Sequence, residues 1–250
     1  MGFSYCQLVF KPQKYTEEYA EKIHTVSKKS GVEIVSFFAG YNDDFTTWDL
    51  YDGFKNSGII CKKYGKKRTR YIKSAALFAK SIGVNDVLIH AGFIPNNPFS
   101  KEYNYAKKCI LKFAEFCKEN GINLLLETGG ESPVSLLRLI EDLGLNNVFV
   151  NLDTANIIMY GFGNPVDAVF TLKNHIKSIH IKDGLPPVNP KTLGEETPIG
   201  EGFVDFKKVF AELEKIGFSG PLIIEREIEG EKQKEDIINS VKYLDSVLNK

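Results

Sequence analysis

Four apolar runs decide the fold of this chain: LLLE (Leu124–Glu127), VFVNLD (Val148–Asp153), IKSIH (Ile176–His180) and LIIE (Leu222–Glu225). Each run ends in a polar side chain that can bind a metal. The first three polar ends are 26 and 27 residues apart, about the length of one strand–helix unit. If the runs are neighbouring parallel strands, their carboxyl ends lie at one end of the sheet. Three carboxylates and one imidazole would then surround a single point.

Strands and helices alternate along the rest of the chain, which predicts a parallel sheet. Three earlier strands are predicted at Phe3–Phe10, Val32–Ala39 and Val87–Ile89, the last of which ends at His90. Predicted helices cover Tyr15–Lys29 with Thr16 as N-cap, the stretch from Ile72, Lys101–Asn120, the stretches that begin at Ser132, Asn164 and Asp205, and Lys234–Leu248. The natural closure is an α/β (β/α)8 TIM barrel that forms a single domain over residues 1–250. The count gives seven strands rather than eight.

The composition excludes several classes of protein. Thirty-two basic and thirty-two acidic residues give a formal net charge of zero, which argues against a broad nucleic-acid surface. No apolar stretch approaches the length of a membrane span, and the first residues lack the pattern of a signal peptide. The four cysteines include no Cys-x-x-Cys pair, and we interpret them as structural thiols. These features predict a cytoplasmic protein without a membrane or nucleic-acid partner.

Two segments before the fourth strand have open interpretations. Gly40–Gly65 is long and aromatic. It is either a lid or pocket wall on the active-site face, or an aromatic-packed loop with short helical turns. The basic segment Lys62–Lys73 (KKYGKKRTRYIK) is interpreted as the solvated start of a helix, with a phosphate or nucleic-acid patch as the alternative.

The four polar strand ends suit a divalent cation. Carboxylate oxygens with one imidazole nitrogen fit Mn²⁺, Co²⁺ or Mg²⁺, and Zn²⁺ accepts the same ligand types. A cation there can polarise a substrate carbonyl, and two glutamates on different strands could move a proton to and from the neighbouring carbon. Each residue alone also has a structural explanation, such as an ion pair with Lys or Arg. Four such ends in one alignment favour a shared site.

Five segments carry a resemblance to a known family: LLLETGGE (124–131), VNLDTAN (150–156), HIKD (180–183), PIGEGFVDF (198–206) and GFSGPLIIERE (217–227). The sequence resembles the sugar phosphate isomerase/epimerase family of xylose isomerase-like barrels, which includes tagatose and psicose 3-epimerases. The resemblance implies a metal-dependent sugar isomerase or epimerase that works through a metal-stabilised enediolate. It also implies a small sugar, phosphorylated or free, or a keto-glycoside as substrate.

The resemblance assigns roles to particular positions. It implies Glu127, Asp153, His180 and Glu225 as metal ligands, with Mn²⁺ as the expected ion and Co²⁺, Mg²⁺ or Zn²⁺ as alternatives. It implies Glu127 and Glu225 as the catalytic acid/base pair. His90, Glu131, Asn156 and Lys182 are the expected substrate-binding residues, although Lys182 could instead pair with Asp183 or Glu201 and His90 could only line the pocket.

Two features depart from the family pattern. Asn156 occupies a position where many members have a histidine, which is similar to an Asp-x-x-Asn subgroup that acts on keto-sugars or keto-glycosides. Gly2–Tyr5 resembles the start of the family's second strand, so the first strand and helix would be missing. We therefore expect a gap or a substitute packing element beside Phe3–Phe10.

Three alternatives to the isomerase stay open. A dehydratase of a cyclic or keto polyol could use the same site. A nuclease of the endonuclease IV type is disfavoured, because such enzymes need a three-metal cluster with several histidines and this chain has four in total, His24, His90, His175 and His180. A sugar-binding barrel without activity is the third. The sequence does not decide between a monomer and a homo-oligomer such as a dimer or tetramer.

Overall fold

The strands and helices follow the alternation that the sequence predicts. The computed structural model describes residues 3–9, 15–41 and 43–248. The strands are β1 (Tyr5–Val9), β2 (Glu33–Phe38), β3 (Asp86–Ile89), β4 (Asn123–Glu127), β5 (Val148–Asp153), β6 (Ile176–Ile181), β7 (Asp183–Gly184), β8 (Glu196–Thr197) and β9 (Leu222–Ile224). The helices are α1 (Glu17–Ser30), α2 (Gly53–Asn56), α3 (Gly65–Ser81), α4 (Lys101–Glu119), α5 (Pro133–Leu143), α6 (Asn156–Met159), α7 (Pro165–Leu172), α8 (Phe206–Lys215) and α9 (Glu231–Leu248).

Seven parallel strands form a nearly closed barrel in the order β1-β2-β3-β4-β5-β6-β9. Each strand pairs with the next one in this order. Within the described residues no hydrogen-bonded ladder joins β1 to β9, so a seam lies between them, as expected beside the first strand. The described residues therefore form seven barrel strands, whereas a (β/α)8 barrel has eight. The predicted end of the first strand at Phe10, and Gly2 of the family match, lie outside the described residues.

The barrel core is made by strands that are buried on both faces. In β4 the side chains of Leu124, Leu125 and Leu126 are at most 1% exposed although they alternate between the barrel interior and the helix layer. Full burial of one such side chain contributes about 1.5–3 kcal/mol. This gain explains why near-continuous apolar runs, rather than alternating ones, mark the strands of this sheet.

Predicted caps start the helices that lie between the strands. The side chains of four predicted N-caps accept a hydrogen bond from a backbone N–H of the first turn: Thr16 from Tyr19, Ser132 from Ser135, Asn164 from Asp167 and Asp205 from Lys208. Each such bond satisfies a donor that the helix itself leaves unpaired. The caps fix where each helix begins and hence the lengths of the loops that carry the site.

The Gly- and Pro-rich segment after β6 is a structured loop. The carboxylate of Asp183 accepts four backbone hydrogen bonds that gather this loop, from the N–H groups of Gly184, Gly200, Gly202 and Val204. The loop also contains the antiparallel pair β7–β8, which the sequence did not predict. Asp183 is thereby occupied by the backbone, and it is not the partner of Lys182 that one interpretation proposed.

Two expectations from composition concern the cysteines and the membrane. Cys6, Cys61, Cys109 and Cys117 are all free thiols, as predicted. Across the part of the chain that the structure describes, none of the helices combines the length and apolarity that crossing a bilayer requires.

Candidate functional site

The four polar strand ends converge at the carboxyl end of the barrel. Glu127 ends β4, Asp153 ends β5, His180 is the residue before the last of β6, and Glu225 follows β9 directly. These strands are neighbours in the sheet, and Asp153 lies opposite His180 in the β5–β6 ladder. One ligand atom from each residue lies within 4.8 Å of the others. The convergence predicted from the spacing of the runs is present.

His180 is the centre of this cluster. Its side chain has no exposed area, and its Nδ1 atom lies 2.7 Å from Glu127 Oε1, 3.3 Å from Glu225 Oε2 and 3.9 Å from Asp153 Oδ2. Burial alone would lower the pKa of His180, but Glu225 and Glu127 raise it well above its ordinary value. Without an ion, a proton on Nδ1 therefore supplies the positive charge that the carboxylates need.

The two carboxylate oxygens of Asp153 have different surroundings, and these show whether a cation fits the cluster. Its Oδ1 atom accepts hydrogen bonds from the backbone N–H groups of Ala155, at 2.8 Å, and Asn156, at 2.7 Å. Its Oδ2 atom is buried and has no hydrogen-bond partner within the described residues. Burial raises the pKa of Asp153 to about 8, although Lys182 lowers it. A buried carboxylate oxygen that lacks a donor and faces two other carboxylates is a fitting ligand for a divalent cation.

Neighbouring positive charges favour the ionised form of both glutamates. Burial would raise the pKa of Glu127, but His90 and His180 lower it to about 2. The same competition holds the pKa of Glu225 well below its ordinary value, with His180 and Lys182 as the charges that oppose burial. Both carboxylates can therefore bind a cation or accept a proton without first losing one.

The ammonium group of Lys182 lies beside the cluster, where neighbouring carboxylates hold it. Its Nζ atom donates to Glu227 Oε1 at 2.5 Å and to Glu225 Oε2 at 3.4 Å. It also lies 3.5 Å from Asn156 Oδ1 and 3.9 Å from Asp153 Oδ2. Through these contacts Lys182 connects three other predicted site residues. The predicted structural pairing with Asp183 or Glu201 is wrong, because the ammonium group pairs with Glu227 instead.

A cavity of about 540 Å³ opens onto the cluster, and the predicted residues His90, Asn156, Lys182 and Glu225 line it. His90 Nε2 lies 2.8 Å from Glu127 Oε2, so His90 both lines the cavity and contacts the cluster. A second cavity, of about 640 Å³, lies at the opposite end of the barrel near Asp86 and Lys177. None of the four cluster residues lines that cavity, so the first is the candidate site.

Glu131 is placed differently from the other predicted substrate-binding residues. It is 3% exposed, and it is not among the described residues that line the cavity. Burial raises its pKa to about 8, which the charge of His90 and the backbone N–H of Gly129 only partly offset. A role for Glu131 in substrate binding stays a prediction.

The aromatic segment Gly40–Gly65 forms one wall of the cavity. Tyr41, Asp43, Thr46 and Trp48 line it, and the Trp48 ring centroid lies 4.8 Å from that of His90. The segment also contains the short helix α2 and an aromatic stack. Both earlier interpretations, a pocket wall and an aromatic-packed loop with helical turns, are therefore confirmed in part.

Arg68 of α3 holds this wall in place and is the exception in the basic segment. As predicted, a helix starts within the segment, and four of its five lysines are exposed, at Lys62, Lys63, Lys66 and Lys67. The Arg68 side chain is fully buried. It donates from Nε to Asp43 Oδ2 at 2.7 Å, from Nη2 to Thr46 Oγ1 at 2.9 Å, and from Nη1 to the carbonyl oxygens of Asn56, at 2.5 Å, and Gly58, at 2.9 Å. The guanidinium carbon also lies 4.5 Å from the centroid of the Tyr41 ring.

We expect Arg68→Met to lower the free energy of unfolding by about 3–5 kcal/mol, because the buried carboxylate of Asp43 would lose its compensating charge. The matched control is Lys67→Met, one position earlier on the same helix, where the side chain is exposed and the change should stay within about 0.5 kcal/mol. Urea unfolding of both variants measures the difference. Equal midpoints for the two would show that Arg68 does not stabilise the wall.

Sequence reasoning missed two residues of the site. Glu227 was visible in the quoted stretch GFSGPLIIERE, two positions after Glu225, where strand alternation returns a side chain to the same face. Gln7 of β1 gave no signal. Its Oε1 atom lies 3.1 Å from His180 Nε2, across 173 positions of the chain, and nothing local in the sequence connects the two.

Comparisons with known proteins agree with this fold. A family model described as xylose isomerase-like TIM barrel matches residues 1–247. An uncharacterized protein of Methanocaldococcus jannaschii is 24% identical over an alignment of 252 positions. The alignment covers 90% of this chain and 83% of that protein. Inosose dehydratase of Clostridium botulinum is 24% identical over 159 residues, so the match spans 57% of this chain and about half, 51%, of that enzyme.

Solved structures show the same fold. A xylose isomerase domain protein from Planctomyces limnophilus superposes with a TM-score of 0.90 at 29% identity, over 98% of this chain and 88% of that one. A D-tagatose 3-epimerase-like protein superposes with a TM-score of 0.78 at 21% identity, over 100% of this chain and 90% of that one. The second likeness concerns the fold alone.

Proposed function

The chain belongs to the xylose isomerase-like TIM barrel family, and we propose that it is a divalent-metal-dependent sugar isomerase or epimerase. One observation carries the proposal. Glu127, Asp153, His180 and Glu225 gather their ligand atoms within 4.8 Å, and the buried Asp153 Oδ2 among them has no hydrogen-bond partner in the described chain. The cavity above this cluster is lined by polar groups that suit a sugar.

Each of the four residues would donate one atom to the ion, and His180 would use Nδ1. We propose Mn²⁺, with Co²⁺, Mg²⁺ and Zn²⁺ as alternatives, because a set of carboxylate oxygens and one imidazole suits these ions. A bound divalent ion would supply the positive charge that polarises a substrate carbonyl and acidifies the neighbouring C–H bond. Measurement of the metal content of purified protein tests this assignment.

Glu127 and Glu225 would move the proton. Glu127 ends β4 and Glu225 follows β9, and two strands lie between β4 and β9 in the sheet, so the two carboxylates would approach the substrate from different directions. One carboxylate oxygen takes the proton from the carbon beside the carbonyl, and the other returns a proton. Return to the opposite face of the same carbon gives an epimer, whereas delivery to the adjacent carbon interconverts an aldose and a ketose.

His90, Asn156 and Lys182 would bind and orient the sugar. Asn156 can donate and accept hydrogen bonds to hydroxyl groups but cannot act as an acid. Lys182 has three N–H donors, and it lines the cavity beside Glu225 and Glu227. We propose that Glu131 binds the sugar after a change of rotamer, since its Oε1 atom is buried without a partner in the described chain.

Deuterium exchange tests the proposed function. Purified protein is incubated in D2O with a panel of free and phosphorylated ketoses and with Mn²⁺, Co²⁺ or Mg²⁺, and NMR follows deuterium at the carbon beside the carbonyl. We expect exchange on at least one ketose, with loss of exchange after chelation of the ion. Absence of exchange across the panel, with the ion shown to be bound, would contradict an isomerase or epimerase.

A dehydratase of a cyclic or keto polyol is the second candidate. It is favoured by the partial likeness to inosose dehydratase and by His90, whose pKa Glu127 raises despite the opposing effect of burial. A protonated His90 beside the cavity could donate to a departing β-hydroxyl group. A product that has lost one water, detected by mass spectrometry, would favour this reaction over isomerisation.

We also propose a cytoplasmic location. The four cysteines are free thiols, and disulfides are rare in the reducing cytosol. Subcellular fractionation with an antibody against the protein tests this assignment.

A further inference from the structure

Gln7 is the residue on β1 that reaches the cluster. Its Oε1 atom lies 3.1 Å from His180 Nε2, and its Nε2 atom donates to Ser36 Oγ on β2 at 2.9 Å. Gln7 therefore contacts the ring nitrogen of His180 that faces away from the carboxylates. It contacts none of the other three cluster residues through a hydrogen bond found in the described chain.

The two ring nitrogens of His180 have different surroundings. Nδ1 faces the oxygens of Glu127, Glu225 and Asp153 at 2.7–3.9 Å, so Nδ1 is the atom that a cation in this cluster would meet. A neutral imidazole that gives the lone pair of Nδ1 to a cation carries its one proton on Nε2. That N–H is fully buried and needs an acceptor, since an unpaired buried donor costs about 1–3 kcal/mol.

Gln7 can supply that acceptor, and its orientation can be deduced. Ser36 Oγ either accepts from an amide N–H or donates to an amide oxygen, so Ser36 suits both orientations of the Gln7 amide. His180 decides between them. If Nδ1 binds the cation, Nε2 of His180 carries a hydrogen. The Gln7 amide must then turn Oε1 toward this hydrogen, because its NH2 group would place a second hydrogen against the first.

We propose that Gln7 is a positioning residue that holds His180 as the Nε2–H tautomer, with Nδ1 directed at the cation. The inference rests on the proposed function only through its metal centre, and it does not depend on which sugar is the substrate. Gln7 acts through His180 and touches no reacting atom. In metal sites generally, loss of such a hydrogen-bond partner weakens metal affinity by about 10–100-fold.

A purely structural role for Gln7 makes a different prediction. Gln7 also connects β1 with β2 and, through His180, with β6 across the seam. If this connection were its only role, replacement would lower stability and leave the tautomer and the metal affinity unchanged. The test therefore reads the tautomer and the affinity directly.

The test uses three variants. Gln7→Met keeps nearly the same side-chain length and removes the acceptor oxygen, whereas Gln7→Glu keeps an acceptor oxygen. Ser36→Ala is the matched control, because it removes the other hydrogen bond of the Gln7 amide and leaves the acceptor. Dissociation constants for Mg²⁺ and Zn²⁺ come from calorimetry or competition, and ¹⁵N NMR shifts give the tautomer of His180, one of four histidines.

We expect the wild-type protein to bind the ion through Nδ1 with the proton on Nε2. Gln7→Met should bind about 10–100-fold more weakly, while Gln7→Glu and Ser36→Ala stay within a few-fold of wild type. If Gln7→Met kept the wild-type metal affinity and tautomer, the inference about Gln7 would be overturned, but the metal centre would not. An Nδ1–H tautomer in the ion-loaded wild type would overturn it even if Gln7→Met did not fold. A wild type that binds no ion in the same titration would overturn the metal centre itself.

Discussion

Glu225→Gln is expected to reduce deuterium exchange at the substrate carbon by about 10³-fold, the middle of the range that a positioned acid or base contributes. The substitution keeps the shape of the side chain and removes its ability to take a proton. The exchange rate is measured on whichever ketose the wild-type protein turns over. The metal content of the variant is measured in the same preparation, so that a loss of proton transfer is separated from a loss of the ion.

Glu227→Gln is the matched control for this experiment. Glu227 lies two positions later and accepts a hydrogen bond from the same Lys182 Nζ atom, but it is not one of the four cluster residues. Its exchange rate should stay within about 10-fold of wild type, because the Glu227 side chain is 60% exposed and an exposed ion pair contributes about 0.2–1 kcal/mol. Equal losses in both variants would remove Glu225 from the acid/base pair.

Asp153→Asn is expected to abolish the stabilisation that a divalent ion gives to the fold. An ion at 100 times its dissociation constant stabilises the native state by about 2.7 kcal/mol, which raises the Tm of a domain of this size by roughly 5–10 °C. Asparagine keeps the Oδ1 acceptor for the N–H groups of Ala155 and Asn156. It places an amide group, which has no lone pair for a cation, where the unpartnered Oδ2 lies. Thermal unfolding with and without the ion measures the loss.

The metal-free Asp153→Asn variant should be at least as stable as the metal-free wild type at neutral pH. Burial raises the pKa of Asp153 to about 8, above the ordinary value near 3.9 of the unfolded chain. A carboxyl whose folded pKa is raised lowers stability as the pH increases from about 4 to about 8. The advantage of the variant should therefore grow over this window. An ion-dependent rise in Tm that survives in Asp153→Asn would contradict the assignment of Asp153 as a ligand.

The cluster could be predicted from the sequence because each member ends a local apolar run. Glu127, Asp153, His180 and Glu225 are placed by the alternation of parallel strands and helices, and that alternation alone brings strand ends together. Local signals also identified the caps, such as Ser132 before Pro133. These predictions required no knowledge of contacts between distant residues.

Other features depended on contacts that no local pattern encodes. Arg68 lies on the helical stripe of Ile72, Ala75 and Ala79, so its burial was visible in the periodicity, but its charge led to a solvated interpretation. The distant Asp43, 25 positions earlier, supplies the negative charge that offsets the cost of that burial. The β7–β8 pair has two residues in each strand, which is too short to give an alternating pattern. Gln7 contacts His180 across 173 positions of the chain, and no local pattern predicts that contact.

The seam between β1 and β9 has a consequence for the order of folding. Every ladder in the barrel pairs residues that are at most 50 positions apart, and such contacts close smaller loops, at smaller entropic cost, than a contact across the whole barrel. The contact between Gln7 and His180 spans 173 positions, and no ladder of the described residues reinforces it across the seam. We therefore expect the four ligand-bearing strands to assemble as one early unit, and the contact of β1 across the seam to form last. The imidazole would acquire its fixed orientation only in that final step.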